Sequence, residues 1–303
     1  MTDLLPSWRE GPTRSSILAF LDEVEGIPST DRVAVFDNDG TLMCEKPRYV
    51  QLEFMLVELD RAIAADPSLA DRDEFHALVT GDRTGQAEMR LERVAGALVS
   101  LFEGLTPEAF DHRVARFFSE ALHPDRGVPF RQMRYQPMLE LIDQLRSRGF
   151  DVYVVTGGGA EFVRTISQDF YGVKPEGVVG SQIDYELEDD DGSIRLVRTS
   201  HLVGTGPNEG PAKPPNIQRI LGRRPVIAAG NSAGDAQMLD YAMSYDGPSL
   251  ALLVDHDDAA REYAYASEAA TFATDESILE TAARSGWTVA SMRTDWSTVF
   301  VDS

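Results

Sequence analysis

The sequence predicts an α/β protein with a doubly wound, mainly parallel sheet and an inserted all-helical segment. Two observations support this fold class. Short apolar runs rich in β-branched residues alternate with segments whose apolar residues recur at helical spacing, a pattern typical of a sheet covered by helices. Between residues 45 and 131, however, only helical patterns occur. We therefore expect an α/β core domain from residues 1–44 and 132–303, and a helical cap (lid) from residues 45–131.

The predicted elements begin with a helix over residues 15–26. Residues 32–37 form an apolar run that is too short for a helix, and it predicts a buried, central parallel strand. Thr106 and Pro107 offer a helix cap followed by proline at the first helical position. Amphipathic patterns in the lid predict helices over residues 50–65, 72–79, 86–102 and 107–121.

Strand and helix patterns alternate again after the lid, as expected for right-handed βαβ units. Helices are predicted over residues 138–148, 160–171, 216–221 and 237–242. Strands are predicted over residues 151–155, 177–180, 225–229 and 249–254. Residues 182–187 and 193–198 flank an acidic turn and predict a solvent-exposed hairpin.

The composition is that of an acidic globular protein. Among 303 residues, 43% are hydrophobic and 26% are charged, which is ordinary for a packed protein. Lys and Arg number 28 against 50 Asp and Glu, a formal charge of −22. Such a surface repels nucleic-acid phosphates and anionic lipids, so we expect no nucleic-acid and no membrane partner. Binding a phosphate then requires a local positive group, such as a metal ion.

The single cysteine, Cys44, excludes an internal disulfide and a cysteine-rich zinc site, and we expect it to be a small packed thiol. No apolar run approaches the ~20 residues that span a bilayer. The N-terminal residues lack the apolar core of a signal peptide. We therefore expect a soluble, cytoplasmic protein. The sequence makes no prediction of its oligomeric state.

Four groups of polar residues follow or adjoin predicted strands and helices. In a doubly wound sheet, ligands bind outside the carboxyl ends of the strands. The groups are Asp37 with Asp39, Thr156 with the glycines after it, Lys213, and residues 230–235.

The chemistry of these groups indicates phosphoryl transfer. Asp37 and Asp39 would repel each other unless a cation lies between them, which predicts an oxygen-liganded Mg²⁺ ion. Thr156, followed by Gly157 and Gly158, offers a hydroxyl and backbone N–H groups at a helix start, where anions bind. Lys213 supplies a compensating positive charge. Carboxylates, metal, lysine and amides together suit reaction through an aspartyl-phosphate.

This combination resembles the haloacid dehalogenase superfamily of phosphohydrolases. Residues 37–42 look like its first motif, Thr156 its second, Lys213 its third and residues 230–235 its fourth. The helical insert is similar to the cap of phosphoserine phosphatase and its relatives. The resemblance covers essentially the whole chain and implies a Rossmann-like core of the superfamily type with a helical cap.

The resemblance also implies a role for each motif residue. Asp37 would be the nucleophile, and Asp39 would act first as general acid and then as general base. Thr156, with the amides of Gly157 and Gly158, would hold phosphate oxygens, and Lys213 would offset negative charge. Mg²⁺ would be held by Asp37, by the backbone carbonyl of Asp39 and by the fourth motif.

The fourth motif departs from the family pattern, because Asn231 stands where an aspartate normally follows the glycine. An amide oxygen can ligate Mg²⁺ without contributing negative charge, so the affinity should fall. Asp235, four residues later, can act as a direct or water-mediated ligand. Two alternatives follow: an active enzyme, which we favour because the other motifs are intact, or an impaired protein that binds phosphate and regulates.

The substrate is predicted only as a class, a small phosphorylated metabolite. A cap that closes over the site favours small phosphomonoesters over proteins. Glu45 lies about one position from a glutamate that recognises the substrate amino group in phosphoserine phosphatases. The other candidates for substrate binding are Arg48, Arg90 and Arg93, and a surface charge or a local ion pair is the alternative for each.

Three other kinds of protein use similar residues: dehalogenases, signalling receivers and phosphotransferases. Dehalogenases of this fold lack an acid/base aspartate at the position of Asp39, which argues against dehalogenation. Signalling receivers are much shorter and carry their acceptor aspartate on a later strand. Transfer of the phosphoryl group to an alcohol instead of water stays open.

The five histidines show no metal-ligand spacing, so we expect structural roles for them. His256 lies in an acidic run, residues 255–258, after a predicted strand. We expect a polar loop there, and the alternative is that the run lines the mouth of the site.

Overall fold

The computed structural model describes residues 4–80, 91–204, 206–269 and 271–301. The chain divides into two compact units. The first comprises Met1–Pro47, Glu120–Ser181 and Pro207–Ser303, and the second comprises Arg48–Ser119 and Gln182–Gly206.

The first unit is built on a six-stranded parallel sheet within the described part of the chain. Its strands are β1 (Val33–Phe36), β2 (Asp151–Gly159), β3 (Val178–Ser181), β6 (Ile227–Gly230), β7 (Leu250–Asp255) and β8 (Thr288–Ser291), in the order β3-β2-β1-β6-β7-β8. Strand β1 is central, and Ala34 aligns with Val152 of β2 on one side and Ile227 of β6 on the other. The predicted α/β fold class is confirmed.

Helices of the first unit cover this sheet. They are α1 (Pro12–Glu23), α6 (Gln136–Ser147), α7 (Ala160–Tyr171), α8 (Lys213–Leu221), α9 (Ala236–Met243), α10 (Ile278–Ser285) and α11 (Met292–Asp295). Val33 and Val35 of β1 pack in one cluster with Ile217, Leu239 and residues of α10. Their neighbours Ala34 and Phe36 are equally buried. Successive strand side chains point to opposite faces, so both faces of β1 are covered.

Helix α10 and strand β8 were not predicted. Ser277 and Glu280 form a capping box at the start of α10, a signal that the sequence does carry. Strand β8 has only four residues and pairs with β7 at the edge of the sheet. An edge strand this short has too little apolar patterning to be distinguished from a loop.

The second unit contains helices and a hairpin. Its helices are α2 (Val50–Ala65), α3 (Asp73–Thr80), α4 (Leu91–Ser100) and α5 (Pro107–Glu120, whose last residue falls in the first unit), and its strands are β4 (Ile183–Asp190) and β5 (Ser193–Leu202). Its aromatic core places the ring of Phe54 against those of Phe102, Phe110 and Phe117 at centroid distances of 5.3–5.8 Å.

The hairpin belongs to this second unit, whereas residues 182–198 were predicted to be part of the core domain. Its backbone explains the grouping, because the N–H of Arg198 donates to Leu105 O and the N–H of Gly104 donates to Arg198 O, each at 2.8 Å. Such pairing between distant segments leaves no local trace in sequence. The predicted lid, residues 45–131, shares residues 48–119 with the second unit.

No helix in the described ranges combines the length and the apolar character needed to cross a membrane.

Candidate active site

Lys213 is the centre of the candidate site. It is the first residue of α8 and is 2% exposed. Its Nζ donates to Asp37 Oδ1 at 2.7 Å, to Asp235 Oδ1 at 2.5 Å and to the carbonyl of Val155 at 3.0 Å. These three acceptors match the three N–H bonds of an ammonium group. Asp37 and Asp235 follow β1 and β6, and Val155 lies within β2, shortly before the glycines at its end. The contacts thus lie at the carboxyl edge of the sheet, where parallel sheets bind ligands.

The charges around Lys213 do not balance. Burial alone would lower the pKa of Lys213, but attraction to Asp235 and Asp37 outweighs it and raises that pKa above its ordinary value. Burial, followed by repulsion from Asp235, raises the pKa of Asp37 well above its ordinary range, and Lys213 offsets only part of this effect. Burial likewise raises the pKa of Asp39. One ammonium group thus faces three carboxyl groups.

Asp235 shapes the turn after β6 as well as binding Lys213. Its Oδ2 accepts the backbone N–H groups of Asn231 at 3.0 Å and Ser232 at 3.1 Å. A Cβ on Gly230 would lie 2.4 Å from the Cβ of Asp235, so only glycine fits there. Protein donors therefore engage both carboxylate oxygens of Asp235, which makes it a structural partner of Lys213 and of this turn.

Asn231 lies against the turn that follows Asp39. Its Oδ1 is 3.5 Å from the hydroxyl of Thr41, and its Nδ2 is 3.5 Å from Oε1 of Glu45. A Cβ on Gly40 would lie 2.0 Å from the Nδ2 of Asn231, and Gly40 has a φ of +78°. Space and backbone conformation both require glycine at this position. The structure thus brings Glu45, a predicted substrate residue, to the fourth motif.

Burial raises the pKa of Glu45, the largest of several influences on it. The side chain is 5% exposed, and Lys46 Nζ lies 3.6 Å from its Oε1.

The last part of β2, from Thr156 to Gly159, is held by Asn208 and Ser181, two residues that were not predicted to belong to the site. Thr156 Oγ1 accepts the N–H of Gly158 at 2.9 Å. The Nδ2 of Asn208 donates to Thr156 O at 3.0 Å, while Ser181 Oγ donates to Gly157 O at 2.7 Å and accepts the N–H of Asn208 at 2.9 Å. Nothing near Asn208 in sequence marks it, because its partners lie 27 and 52 residues away.

The donors in this region fit a hard cation such as Mg²⁺. Asp37 offers a carboxylate, Asp39 a backbone carbonyl and Asn231 an amide oxygen, and the buried site carries excess negative charge. Among the described residues, no group of three or more His, Cys, Asp or Glu side chains is arranged for a metal. The proposed set differs from such a group, since two of its three donors are a backbone carbonyl and an amide.

Comparison with known proteins shows the family to which the chain belongs. Residues 34–240, more than half of the chain, match the family of haloacid dehalogenase-like hydrolases. The chain belongs to this family. The predicted superfamily is thus confirmed. No curated protein matches the chain.

Solved structures similar to this hydrolase include a protein of unknown function from Bordetella pertussis Tohama I, with 17% identity and a TM-score of 0.53 over 86% of this chain and 97% of that one. A phosphoserine phosphohydrolase-like protein from Francisella tularensis SCHU S4 has 14% identity and a TM-score of 0.39, with 84% and 99% covered. An apo phosphoserine phosphatase has 20% identity and a TM-score of 0.36, with 74% and 86% covered. At 17% identity the likeness to the Bordetella protein extends to the fold alone.

Two of the predicted lid arginines of this hydrolase form ion pairs inside the second unit. Arg48 Nε lies 2.6 Å from Glu53 Oε1, and Arg93 Nε lies 2.9 Å from Glu74 Oε1. Both arginine side chains are about half exposed, at 51% and 54%. This is the local ion pair that we gave as the alternative to substrate binding. Arg90 lies outside the described residues.

Two buried side chains lie against the first motif. Cys44 is the buried thiol predicted, and its Sγ lies 3.0 Å from Oε1 of Glu262. His256 lies in the irregular segment after β7, where a polar loop was predicted. Its imidazole is 2% exposed, and its Nε2 lies 2.9 Å from Gly40 O.

Proposed function

We propose that this hydrolase is a Mg²⁺-dependent phosphatase that cleaves a small phosphomonoester through an aspartyl-phosphate on Asp37. The observation that carries the proposal is the contact of Lys213 with Asp37 and Asp235 at the ends of the central strands. A lysine that served only in an ion pair would need one carboxylate, and Asp235 would be enough. Lys213 also contacts Asp37, a second buried carboxylate, at the strand end where ligands bind.

Asp37 is arranged to act as the nucleophile. Lys213 engages its Oδ1, and among the described residues no protein donor engages its Oδ2. In the first step Oδ2 attacks phosphorus, the ester P–O bond breaks, and Asp39 gives its proton to the departing alkoxide oxygen. Burial raises the pKa of Asp39, which suits a carboxyl group that must carry a proton near neutral pH.

The second step regenerates the enzyme. Asp39, now ionised, takes a proton from water as the water oxygen attacks phosphorus. The bond between phosphorus and Asp37 Oδ2 breaks, inorganic phosphate leaves, and the carboxylate of Asp37 is restored. Phosphate oxygens would be bound by the hydroxyl of Thr156 and by the backbone amides that follow it at the end of β2. Asn208 and Ser181 hold this segment in place.

Asp37, the carbonyl of Asp39 and the amide oxygen of Asn231 would hold Mg²⁺, with Asp235 acting through Lys213. When bound, Mg²⁺ neutralises the negative charge that otherwise opposes approach of a phosphate to a carboxylate. The uncompensated carboxyl groups beside Lys213 support this assignment.

A small phosphorylated metabolite is the proposed substrate class, and Glu45 is the residue we assign to recognition of its leaving group. The phosphoserine phosphatase-like subgroup and the cytoplasmic location stay predictions from the sequence.

A second candidate function is phosphate binding without turnover. Asn231 favours it, because an amide replaces a carboxylate and its two polar atoms both face protein groups, Thr41 and Glu45. A third, transfer to an alcohol, uses the same aspartyl-phosphate and differs only in the acceptor.

The test is release of inorganic phosphate from a panel of small phosphomonoesters, with Mg²⁺ or with EDTA. We expect release that requires Mg²⁺ and differs among the compounds. Phosphate binding without release from any compound would favour the second candidate. Adding a simple alcohol separates the third, since transfer would produce a new phosphomonoester in place of inorganic phosphate.

A further inference from the structure

The turn that carries Asp39 is held from the loop after β7. Gly40 O accepts a hydrogen bond from His256 Nε2 at 2.9 Å, and Gly40 N–H donates to Met43 O at 2.8 Å. We propose that His256, held by Glu262, is a positioning residue that aims the Asp39 carboxyl at the leaving-group oxygen. The inference rests on the proposed phosphatase function and deepens it.

His256 is itself fixed through its second ring nitrogen. Its Nδ1 lies 3.3 Å from Oε2 of Glu262, and both side chains are fully buried. Each ring nitrogen of His256 thus has an oxygen acceptor beside it, the carboxylate of Glu262 at Nδ1 and the carbonyl of Gly40 at Nε2. The ring therefore cannot turn over without losing a partner on each side.

Glu262 is anchored by donors from different parts of the chain. Its Oε1 accepts the hydroxyl of Tyr135 at 2.9 Å and the thiol of Cys44 at 3.0 Å, and its Oε2 accepts the N–H of Tyr263 at 2.6 Å. Burial would raise the pKa of Glu262, but the hydrogen bond from His256 and the other donors lower it below its ordinary value. A buried carboxylate with this many donors is a rigid support.

The opposite side of the turn is blocked by Asn231, whose Nδ2 occupies the space of a Gly40 Cβ. The peptide after Asp39 is held by the bond from Gly40 N–H to Met43 O, and the peptide after Gly40 by the bond from His256 to Gly40 O. Movement of Gly40 would break these bonds on one side or collide with Asn231 on the other. Because Gly40 directly follows Asp39, its fixed backbone limits the direction of the Asp39 side chain. Two contacts from different strand-end loops therefore define where Asp39 can deliver its proton.

A positioning role has a signature that a purely structural role lacks. Proton donation by Asp39 matters most when the leaving group is a basic alkoxide, and little when it is a stable anion such as p-nitrophenolate. Loss of the bond to Gly40 should therefore lower kcat/KM for an alkyl phosphate more than for p-nitrophenyl phosphate. A loss of folded protein would lower both values by the same factor.

Two variants separate the contacts of His256. His256→Asn keeps an amide near the position of Nδ1, beside Glu262, and removes the donor to Gly40. His256→Gln places an amide near the position of Nε2 and restores that donor. The exposed His112 of α5 offers a control, His112→Asn.

The measurement is kcat/KM for both substrates at saturating Mg²⁺, with thermal unfolding of each variant. We expect His256→Asn to lower the alkyl-to-aryl ratio about tenfold or more, with His256→Gln and His112→Asn close to the wild-type ratio. An unchanged ratio in His256→Asn, or equal losses for both substrates, would overturn the proposal. If the wild-type protein turns over neither substrate, it is the phosphatase function that fails.

Discussion

Charged residues of the two units behave in opposite ways. In the first unit Lys213 is buried and binds Asp37, which lies 176 residues away in sequence. In the second unit Arg93 is half exposed and binds Glu74, 19 residues away. The first arrangement depends on sheet topology, and the second on neighbouring helix surfaces. Burial and long sequence separation therefore distinguish residues of the candidate site from solvated charges in this chain.

A buried carboxylate in the second unit, that of Glu58, makes the comparison between the units more precise. Glu58 is 3% exposed and accepts from Arg61, Arg113 and Arg116. Here the arginines outnumber the acid and are all partly exposed, so the acid is fully compensated. Around Lys213 the acids outnumber the base and are buried. Only the latter arrangement leaves negative charge for a cation or a bound proton to neutralise.

The largest difference in stability is expected between Lys213→Met and Arg93→Met. Removing Lys213 leaves Asp37 and Asp235 buried without their cation, which should lower the free energy of unfolding by about 3–5 kcal/mol. Removing Arg93 breaks a solvated pair and should cost at most about 1 kcal/mol. Denaturant unfolding at pH 7 checks both, with the exposed Lys174→Met as a matched control.

The destabilisation caused by Lys213→Met should depend on pH because of the raised pKa of Asp37. Its folded-state pKa is raised above its unfolded value, so the folded state gains stability as the pH falls through that raised pKa. Without Lys213, burial of Asp37 and Asp235 costs little free energy only when their carboxyl groups are protonated. The destabilisation should therefore be largest at neutral pH and shrink toward about pH 4. A loss that is independent of pH would mean that packing of the lysine stem, and not its charge, stabilises the site.

A smaller effect on stability is expected from the substitution Asn231→Asp. The new carboxylate would stand about where the amide now lies, 3.5 Å from Glu45. Without metal it should lower the Tm by roughly 2–4 °C, the shift produced by about 1 kcal/mol in a domain of 150–250 residues. With Mg²⁺ the same charge should tighten the metal dependence of phosphate release.

The double variant Asn231→Asp with Glu45→Gln serves as the control, and it should recover the Tm in EDTA. If Asn231→Asp leaves the Mg²⁺ titration unchanged, Asn231 does not ligate the metal.

Much of the candidate site could be predicted from the sequence, because the topology of a parallel sheet brings its residues together. Once parallel strands are predicted before Asp37 and Thr156, their ends must meet at one edge of the sheet. No comparable rule predicts the contacts that Asn208 and His256 make. Asn208 and His256 lie in irregular segments, and only tertiary packing decides that they meet the carbonyls of Thr156 and Gly40. The grouping of the hairpin with the helices likewise depends on backbone pairing with residues 104–105.

The central claim is that Asp37 is the nucleophile of a phosphatase. The most direct measurement compares phosphate release by the wild-type protein and by Asp37→Asn at saturating Mg²⁺, with the exposed Asp22→Asn of α1 as control. We expect Asp37→Asn to stay folded and to lose at least about a thousandfold in kcat, while Asp22→Asn keeps wild-type activity. A folded Asp37→Asn protein with normal phosphate release would contradict it.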